Sequence, residues 1–451
     1  MGNPFSKLGR LRRYPSLSGG VILLGVFVVM SIYTIIGVPY SQAEARWNNP
    51  QAWDYYPKNA GPAWIDLFTR GKTPQTIIVY SEQQGIINTE PLDDATKSVN
   101  IVLPFNYEYD GFPRDINLFF EGDFRAAEIP VTMFWETPDG RTILLRENRL
   151  TRTIVDTYYV SQDGQLQGQL EAMLGAGARM PRIGLFASPT DVQTPVKGDY
   201  RLVVTAQLPR DGVVNTRLVV YGQVYGLAGT DHKGRDLMIA LLWGAPIGLA
   251  FGLLAAVGAN LSTFVLAGVS TWLGGKTDKI FQWLTQVSVI LPTLPILILV
   301  GYLYSRSIWA MLGLIIALNV FSGSMFTYRA MFLQAKEAPY IEAAQAYGAG
   351  GARIIFRYLL PRIAPTLLPH FVLVVPQFIF LEATLSVLGL GDPRVPTWGK
   401  IINDAYSAGA LYTGHYYWIV EPAILLMLIG TAFALIGYAS DRIFNPRLRT
   451  L

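Results

Sequence analysis

The chain has 451 residues, of which 51% are hydrophobic and 15% charged, with a formal net charge of +4. Soluble domains carry roughly a quarter charged residues, so this composition, with a mean hydropathy of +0.31, points to a membrane protein with a substantial soluble part. The small net charge gives a nucleic-acid role no support, and the lack of cysteine excludes disulfides, iron–sulfur clusters and cysteine zinc sites.

The chain starts with a basic stretch (Lys7, Arg10, Arg12, Arg13), followed by an apolar run over residues 19–38. That run is long enough to cross ~30 Å of hydrocarbon. Ala43-Glu44-Ala45 has the form of a small-x-small cleavage site. The run is longer than the roughly 7–15-residue core of a signal peptide, however, and we read it as an uncleaved first span.

Residues 41–228 change character and read mostly as β-structure. In EIPVTMFWETPDGRTILLRE, Ile129, Val131, Met133 and Trp135 alternate onto one face. Pro138-Asp139-Gly140 supplies a turn, and Pro130 suggests an edge strand or a strand start. DYRLVVTAQ repeats the alternation with Tyr200, Leu202, Val204 and Ala206, and TRLVVYGQVYG is a further candidate strand. One helical stripe intervenes, formed by Leu166, Leu170, Met173 and Leu174. The expectation is a β-rich, sandwich-like domain with a small helical insert. It contains no recognisable catalytic constellation.

Apolar runs resume at residue 237, and none of residues 237–275 is charged. Lysine and arginine accumulate in cytoplasmic loops. One span here, followed by spans near 281–304, 308–328, 366–390 and 419–438, puts Arg329, Lys336, Arg353, Arg357 and Arg362 inside. It puts Lys276, Lys279, Arg442, Arg447 and Arg449 there too, with the basic N-terminus. Two spans within 237–275 would reverse this. The pattern predicts six spans, with an interfacial elbow up to residue 245 that bends at Pro246.

The polar break YIEAAQAYGAGGARIIFRYLLPRIAP lies between two apolar runs. Pro339 suits a first helical turn, Glu342 complements the helix dipole, and Ala343, Ala344 and Ala346 form a smooth helical surface. Gly348, Gly350 and Gly351 stop that helix. A second helix starts near Ala352, with Arg353 and Arg357 on one face and Ile354, Ile355, Tyr358 and Leu359 on another; Pro361 and Pro365 close it. Such a segment suits docking against a soluble partner, or it joins two spans as an interfacial loop.

Four ordered segments resemble the ATP-binding-cassette (ABC) importer permeases. Glu342-Ala343-Ala344, Gly348 and Leu360-Pro361 resemble their EAA loop, with Tyr358 departing from its looser pattern. GTDHKGRD (229–236), LEATLSVLGLG (381–391) with PTWGKIINDA (396–405), and NPRLR (445–449) resemble further elements of the dipeptide/oligopeptide subfamily. The chain looks most like a C-type permease subunit. The resemblance implies a mainly α membrane protein with six transmembrane helices (a MetI-like permease core) and the β-rich domain inserted, extracytoplasmic, after the first helix. The divisions expected are 1–40, 41–228 and 229–451, with the EAA loop at 329–365.

In that family two permease subunits pair around a path, two cytoplasmic ABC ATPases bind them, and an extracytoplasmic binding protein delivers substrate. The resemblance implies those partners, a B-type second permease and the lipid bilayer, with no nucleic acid. It places the chain in the cell membrane as a multi-pass protein with both termini cytoplasmic. It assigns ATPase coupling to Glu342, Ala343, Ala344 and Gly348, supported by Arg353, Arg357, Leu360 and Pro361. ATP and Mg belong to the ATPases. The chain itself needs no cofactor: Gly275-Lys276-Thr277 lacks the glycine a phosphate loop requires five residues earlier, where Ser270 stands.

Intramembrane polar residues are candidates for a translocation path, here Gln286, Asn319, Gln377 and Glu382; Glu382 serves either the path or helix packing. Asp231, Arg235 and Asp236 form a candidate ion-pair network at the membrane edge. His232, His370 and His415 show no metal-ligand spacing, and His370 reads as interfacial rather than a proton relay. The substrate is a peptide or another small solute such as a nickel chelate. A stand-alone secondary transporter would need inverted repeats or charged spans, and neither is visible. A surface receptor or adhesin with a six-span anchor fits the EAA loop poorly.

Overall fold

Pro15 begins helix α1 (Pro15–Gly37), and the short helix α2 (Tyr40–Asn48) follows. The computed structural model describes residues 15–68, 71–124, 128–151 and 156–444. The basic N-terminal residues, Arg447, Arg449 and the NPRLR tail lie outside the described residues. The chain divides into two compact units. One joins the residues up to Asn48 to those from Ile239 onward, and the other runs from Asn49 to Met238.

Among its described residues, the second unit holds nine strands: β1 (Ile77–Tyr80), β2 (Ile86–Pro91), β3 (Thr96–Tyr107), β4 (Asp115–Asp123), β5 (Glu128–Glu136), β6 (Thr142–Thr151), β7 (Asp156–Tyr159), β8 (Gly198–Pro209) and β9 (Val213–Tyr221). They pair antiparallel into a four-stranded sheet, β1-β9-β4-β7, and a five-stranded sheet, β2-β3-β8-β5-β6. One buried cluster draws Ile116, Leu118 and Leu218 from the first sheet and Ile101, Trp135 and Leu202 from the second. The unit is therefore a β-sandwich. The alternation in β5 and β8 is as expected, since Ile129, Val131, Met133 and Trp135 and then Tyr200, Leu202, Val204 and Ala206 all point inward. Pro130 is the third residue of β5, an interior strand, and is paired there only with Arg149 of β6, because β8 pairs with β5 from Val131 on.

Helix α3 (Gly164–Leu174) supplies the helical insert. Leu166 and Leu170 are buried, but Met173 is exposed, so the stripe is narrower than its periodicity suggests. Asp163 caps α3, accepting from the Gln165 and Leu166 N–H groups at 2.9 and 3.1 Å and from the Tyr158 hydroxyl at 2.8 Å. Burial pushes its carboxyl up, but the hydrogen bonds from Leu166, Tyr158 and Gln165 outweigh this and hold it below the usual carboxylate range.

The first unit continues with α4 (Leu237–Leu273), α5 (Gly275–Ile290), α6 (Thr293–Leu303), α7 (Ile308–Asn319), α8 (Ser324–Lys336), α9 (Pro339–Ala346), α10 (Leu367–Leu385), α11 (Trp398–Ser407) and α12 (Tyr417–Phe444). Among the described residues, four helices are long and apolar enough to cross a membrane, or up to six if each of two bent pairs is one span. The pairs are α5 with α6, bent by 76°, and α7 with α8, bent by 49°. The expected spans at 281–304 and 308–328 are thus each interrupted, and the first breaks where Pro292 denies α6 a continuous ladder.

The elbow expected before Pro246 does not form. α4 is a single helix of 37 residues, about 56 Å at 1.5 Å per residue. Pro246 removes the N–H that would serve Leu242 O. In its place the Thr34 hydroxyl of α1 lies 3.5 Å from Leu242 O, and the Trp398 indole donates to the adjacent Leu241 O at 2.8 Å. Gly244 makes room for this indole, since a Cβ there would lie 2.2 Å from Trp398.

Two stability predictions follow from these bonds. Asp163→Ala should destabilise the β-rich unit by ~1–3 kcal/mol, read as a lower thermal midpoint of the purified chain. Because the folded carboxyl is lowered, this difference is full above pH ~4 and disappears as pH falls through the lowered value. Trp398→Phe leaves Leu241 O without its indole donor and should cost ~1–3 kcal/mol, measured the same way.

Candidate functional site

The loop after α8 begins with Pro339 at the first turn of α9, as the sequence predicts, and Glu342 lies in that turn. Ile341 and Ala344 are buried, whereas Glu342, Ala343, Gln345 and Ala346 are exposed. Ala344 thus belongs to the seat of this helix, and Glu342 and Ala343 to its free face. Tyr347 is 92% exposed. Gly348 has φ +76°, a left-handed conformation that ends the helix.

Beyond Gly350 the chain does not stop at its prolines. It winds from Gly351–Arg353 through a π-turn over Ile354–Leu359, then Leu360–Ile363 and a 3₁₀ turn over Ala364–Thr366 into α10. Pro361 cannot donate to an i→i−4 ladder, and the turn before it is wider: the Leu360 N–H bonds to Ile355 O, five residues back. Ile354, Ile355, Leu359 and Leu360 are buried, while Arg353, Arg357 and Pro361 are exposed. Tyr358 is exposed too, not on the apolar face. With 3.6 residues per turn it would stand over Ile354, and the wider winding rotates it outward.

A single apolar cluster seats the loop. It joins Ile341, Ile354, Ile355 and Leu359 to Phe264 and Ala267 of α4 and to Tyr328 and Phe332 of α8. Polar contacts reinforce the seat. Arg329 of α8 grips Asp278 of α5 with two nitrogens, Nε to Oδ1 at 2.8 Å and a terminal nitrogen to Oδ2 at 2.6 Å. Lys336 donates to Thr271 O and Trp272 O at 3.1 and 3.2 Å, capping α4, and lies 5.4 Å from the Trp272 ring. Sequence reasoning missed Asp278 and Trp272. Asp278 between Lys276 and Lys279 reads as part of a basic loop, and its pairing with Arg329 spans 51 residues.

The four intramembrane polar residues are not brought together. Gln286 and Gln377 are exposed. Asn319 donates to Ile315 O at 2.8 Å within its own helix. Glu382 is buried, accepts from the Ser386 hydroxyl at 2.8 Å, and lines a cavity of about 20 Å³ with Arg306 and Asp392. His370 lies 3.1 Å from the Ser324 hydroxyl, linking α10 to α8.

GTDHKGRD folds as a buried knot within the β-rich unit. Asp231 accepts from the Lys233 and Arg235 N–H groups at 2.8 and 2.9 Å and pairs with the Arg235 guanidinium at 2.5 Å. Asp231 and Arg235 are almost fully buried. Asp236 accepts from the Met238 N–H at 2.9 Å at the start of α4. Gly275-Lys276-Thr277 opens α5 directly after α4, with no preceding strand.

Bent helices, a seated loop and long apolar helices describe a membrane-type helical unit. Residues 248–450 match the family model for the binding-protein-dependent transport system inner membrane component. The chain is 33% identical to the dipeptide transport system permease protein DppC of Bacillus subtilis over 224 residues, 49% of this chain and 68% of the relative. It is 30% identical to the oligopeptide transport system permease protein OppC of the same organism over 49% of this chain and 72% of the relative. It is 28% identical to the glutathione transport system permease protein GsiD of Pectobacterium atrosepticum, over 49% and 73% respectively. The chain belongs to the binding-protein-dependent transport system inner membrane component family. It is a multi-pass ABC permease subunit, a transport component and not an enzyme.

Asp278→Asn removes the charge that Arg329 grips and should loosen the seat of the loop. Trypsin should then cleave at Arg353 or Arg357 severalfold faster than in the native chain, as read by peptide mapping.

Proposed function

We propose that this chain is the C-type half of an ATP-driven importer for peptides, paired with a B-type permease around a shared path. Two ABC ATPases carry ATP and Mg, and an extracytoplasmic binding protein delivers substrate. The names of the relatives support a peptide or peptide-like substrate. Lysine and arginine placement supports cytoplasmic termini, a cytoplasmic loop and an extracytoplasmic β-rich unit.

The observation that carries the coupling role is the division of α9 into a buried side and a free side. Ile341 locks the helix to α4 and α8 through the apolar cluster and Ala344 is buried in the same helix, leaving Glu342 and Ala343 exposed. A helix held this way transmits a push, because interdigitated side chains resist compression. An ATPase groove closing on Glu342, Ala343 and Gly348 would move α8 and α10 with the loop. Arg353, Arg357, Leu360 and Pro361 form the second strut. Small side chains at Ala343 and Ala346 let a partner backbone come close, and Glu342 offers one charge for orientation.

In the assembled transporter, Glu342→Lys should lower ATP-dependent uptake of a labelled dipeptide at least tenfold, with membrane insertion unchanged. Uptake at the wild-type rate would overturn the coupling role.

A further inference from the structure

The outer face of the four-stranded sheet in the β-rich unit is not bare. Side chains alternate along β4: Ile116, Leu118 and Phe120 enter the sandwich core, so Asn117 and Phe119 face the other way. Phe119 and Tyr221 pack there with Tyr55 from the segment that follows α2. Between that segment and the sheet lies a cavity of about 280 Å³, near the lower end of the ~300–1,000 Å³ range of small-ligand pockets.

Two acids, Asp54 and Asp115, and two bases, Lys58 and Arg114, line this cavity, and Tyr159 adds an aromatic wall. The wall is held in place by hydrogen bonds. The Arg114 N–H donates to Tyr221 O at 2.7 Å, the Asn117 amide donates to the Tyr221 hydroxyl at 3.2 Å, and that hydroxyl donates to Asp54 O. Asn117 is 8% exposed, and its Oδ1 has no partner among the described residues. Buried polar atoms without partners are uncommon and call for an explanation. Asn59, also at the cavity, has φ +53°, and its N–H is fixed on Asp231 O at 2.8 Å.

We infer that this cavity binds a compact zwitterion with a free ammonium and a free carboxylate, either an amino acid or a short peptide. The ammonium fits Asp54 and Asp115, the carboxylate fits Lys58 and Arg114, and the balanced charge of the wall disfavours a simple anion or cation. Burial pushes the Asp54 carboxyl up and Lys58 opposes it, so Asp54 gains from a bound ammonium. The inference rests on the cavity and not on the transport reading. Binding by this chain alone and uptake by an assembled transporter are separate readouts.

The test is calorimetric titration of the purified full chain in lipid nanodiscs with alanine, dialanine and trialanine, and with N-acetyl-dialanine and dialanine amide. One saturable site per chain is expected for at least one free zwitterion, and the three lengths separate the amino-acid source from the peptide source. Blocking either terminus should weaken binding at least tenfold. Arg114→Gln and Asp115→Asn should do the same, while Lys197→Gln, a surface cation elsewhere in the unit, should not. The inference is overturned if no free zwitterion saturates. It is also overturned if blocked and free peptides bind alike, or if both cavity variants melt and bind like wild type. The blocked peptides need no variant, so a misfolded substitution does not weaken the test.

Discussion

Backbone carbonyls that lose their helical partners need other donors, and in hydrocarbon no water supplies them. This constraint organises the helical unit. At the end of α7, the Thr263 hydroxyl of α4 donates to Val320 O at 2.7 Å and the Ser288 hydroxyl of α5 to Leu318 O at 3.1 Å. At the end of α4, Lys336 serves Thr271 O and Trp272 O. Beside Pro246, the donors are Trp398 and Thr34. In the π-turn over Ser386–Leu390 that follows α10, the Asn403 amide donates to Val387 O at 2.7 Å. Each of these carbonyls is served by a side chain from another element, so these sites tie the helices together.

The loop from Pro339 to Thr366 uses the same logic for a functional end. Lys336 caps α4 immediately before α9 begins, and the Asp278–Arg329 pair holds α5 to α8. The apolar cluster then fixes both strands of the loop. The proposed coupling role needs a stiff segment, and here the packing comes from buried leucine, isoleucine and phenylalanine rather than from the exposed charges. Arg353 and Arg357 stay at the surface, where ion pairs contribute little. Glu342 can therefore serve recognition without serving the fold.

The β-rich unit shows a different balance. Its sandwich core follows from alternation, and its periphery is polar and deliberately tied. Asp163 closes α3, while Asp231 and Arg235 close the knot in GTDHKGRD. That segment looks like a membrane-edge feature on its charges alone. Its Thr230 hydroxyl donates to Pro57 O and accepts from the Ala60 N–H at 2.9 Å, so it packs with the β-rich unit. It also lies before the range matched by the family model.

Much of this protein is determined by local sequence. Strand alternation in β5 and β8, the start of α9 at Pro339, its stop at Gly348 and the apolar spans all follow from short-range chemistry: side-chain period, proline's missing donor and glycine's freedom at positive φ. The motifs placed the chain in its family for the same reason, since they are contiguous. Tertiary structure alone decided the rest. Whether a proline bends a helix depends on whether a distant donor reaches its freed carbonyl, and Thr34 lies 208 residues from Leu242. Whether Tyr358 packs inward depends on a wider turn imposed by Pro361 within a crowded cluster. Which charges pair, as Asp278 does with Arg329, depends on helices brought together by burial. Hydrogen bonds and packing between distant residues leave no periodic signal in the chain, so only the folded arrangement reveals them.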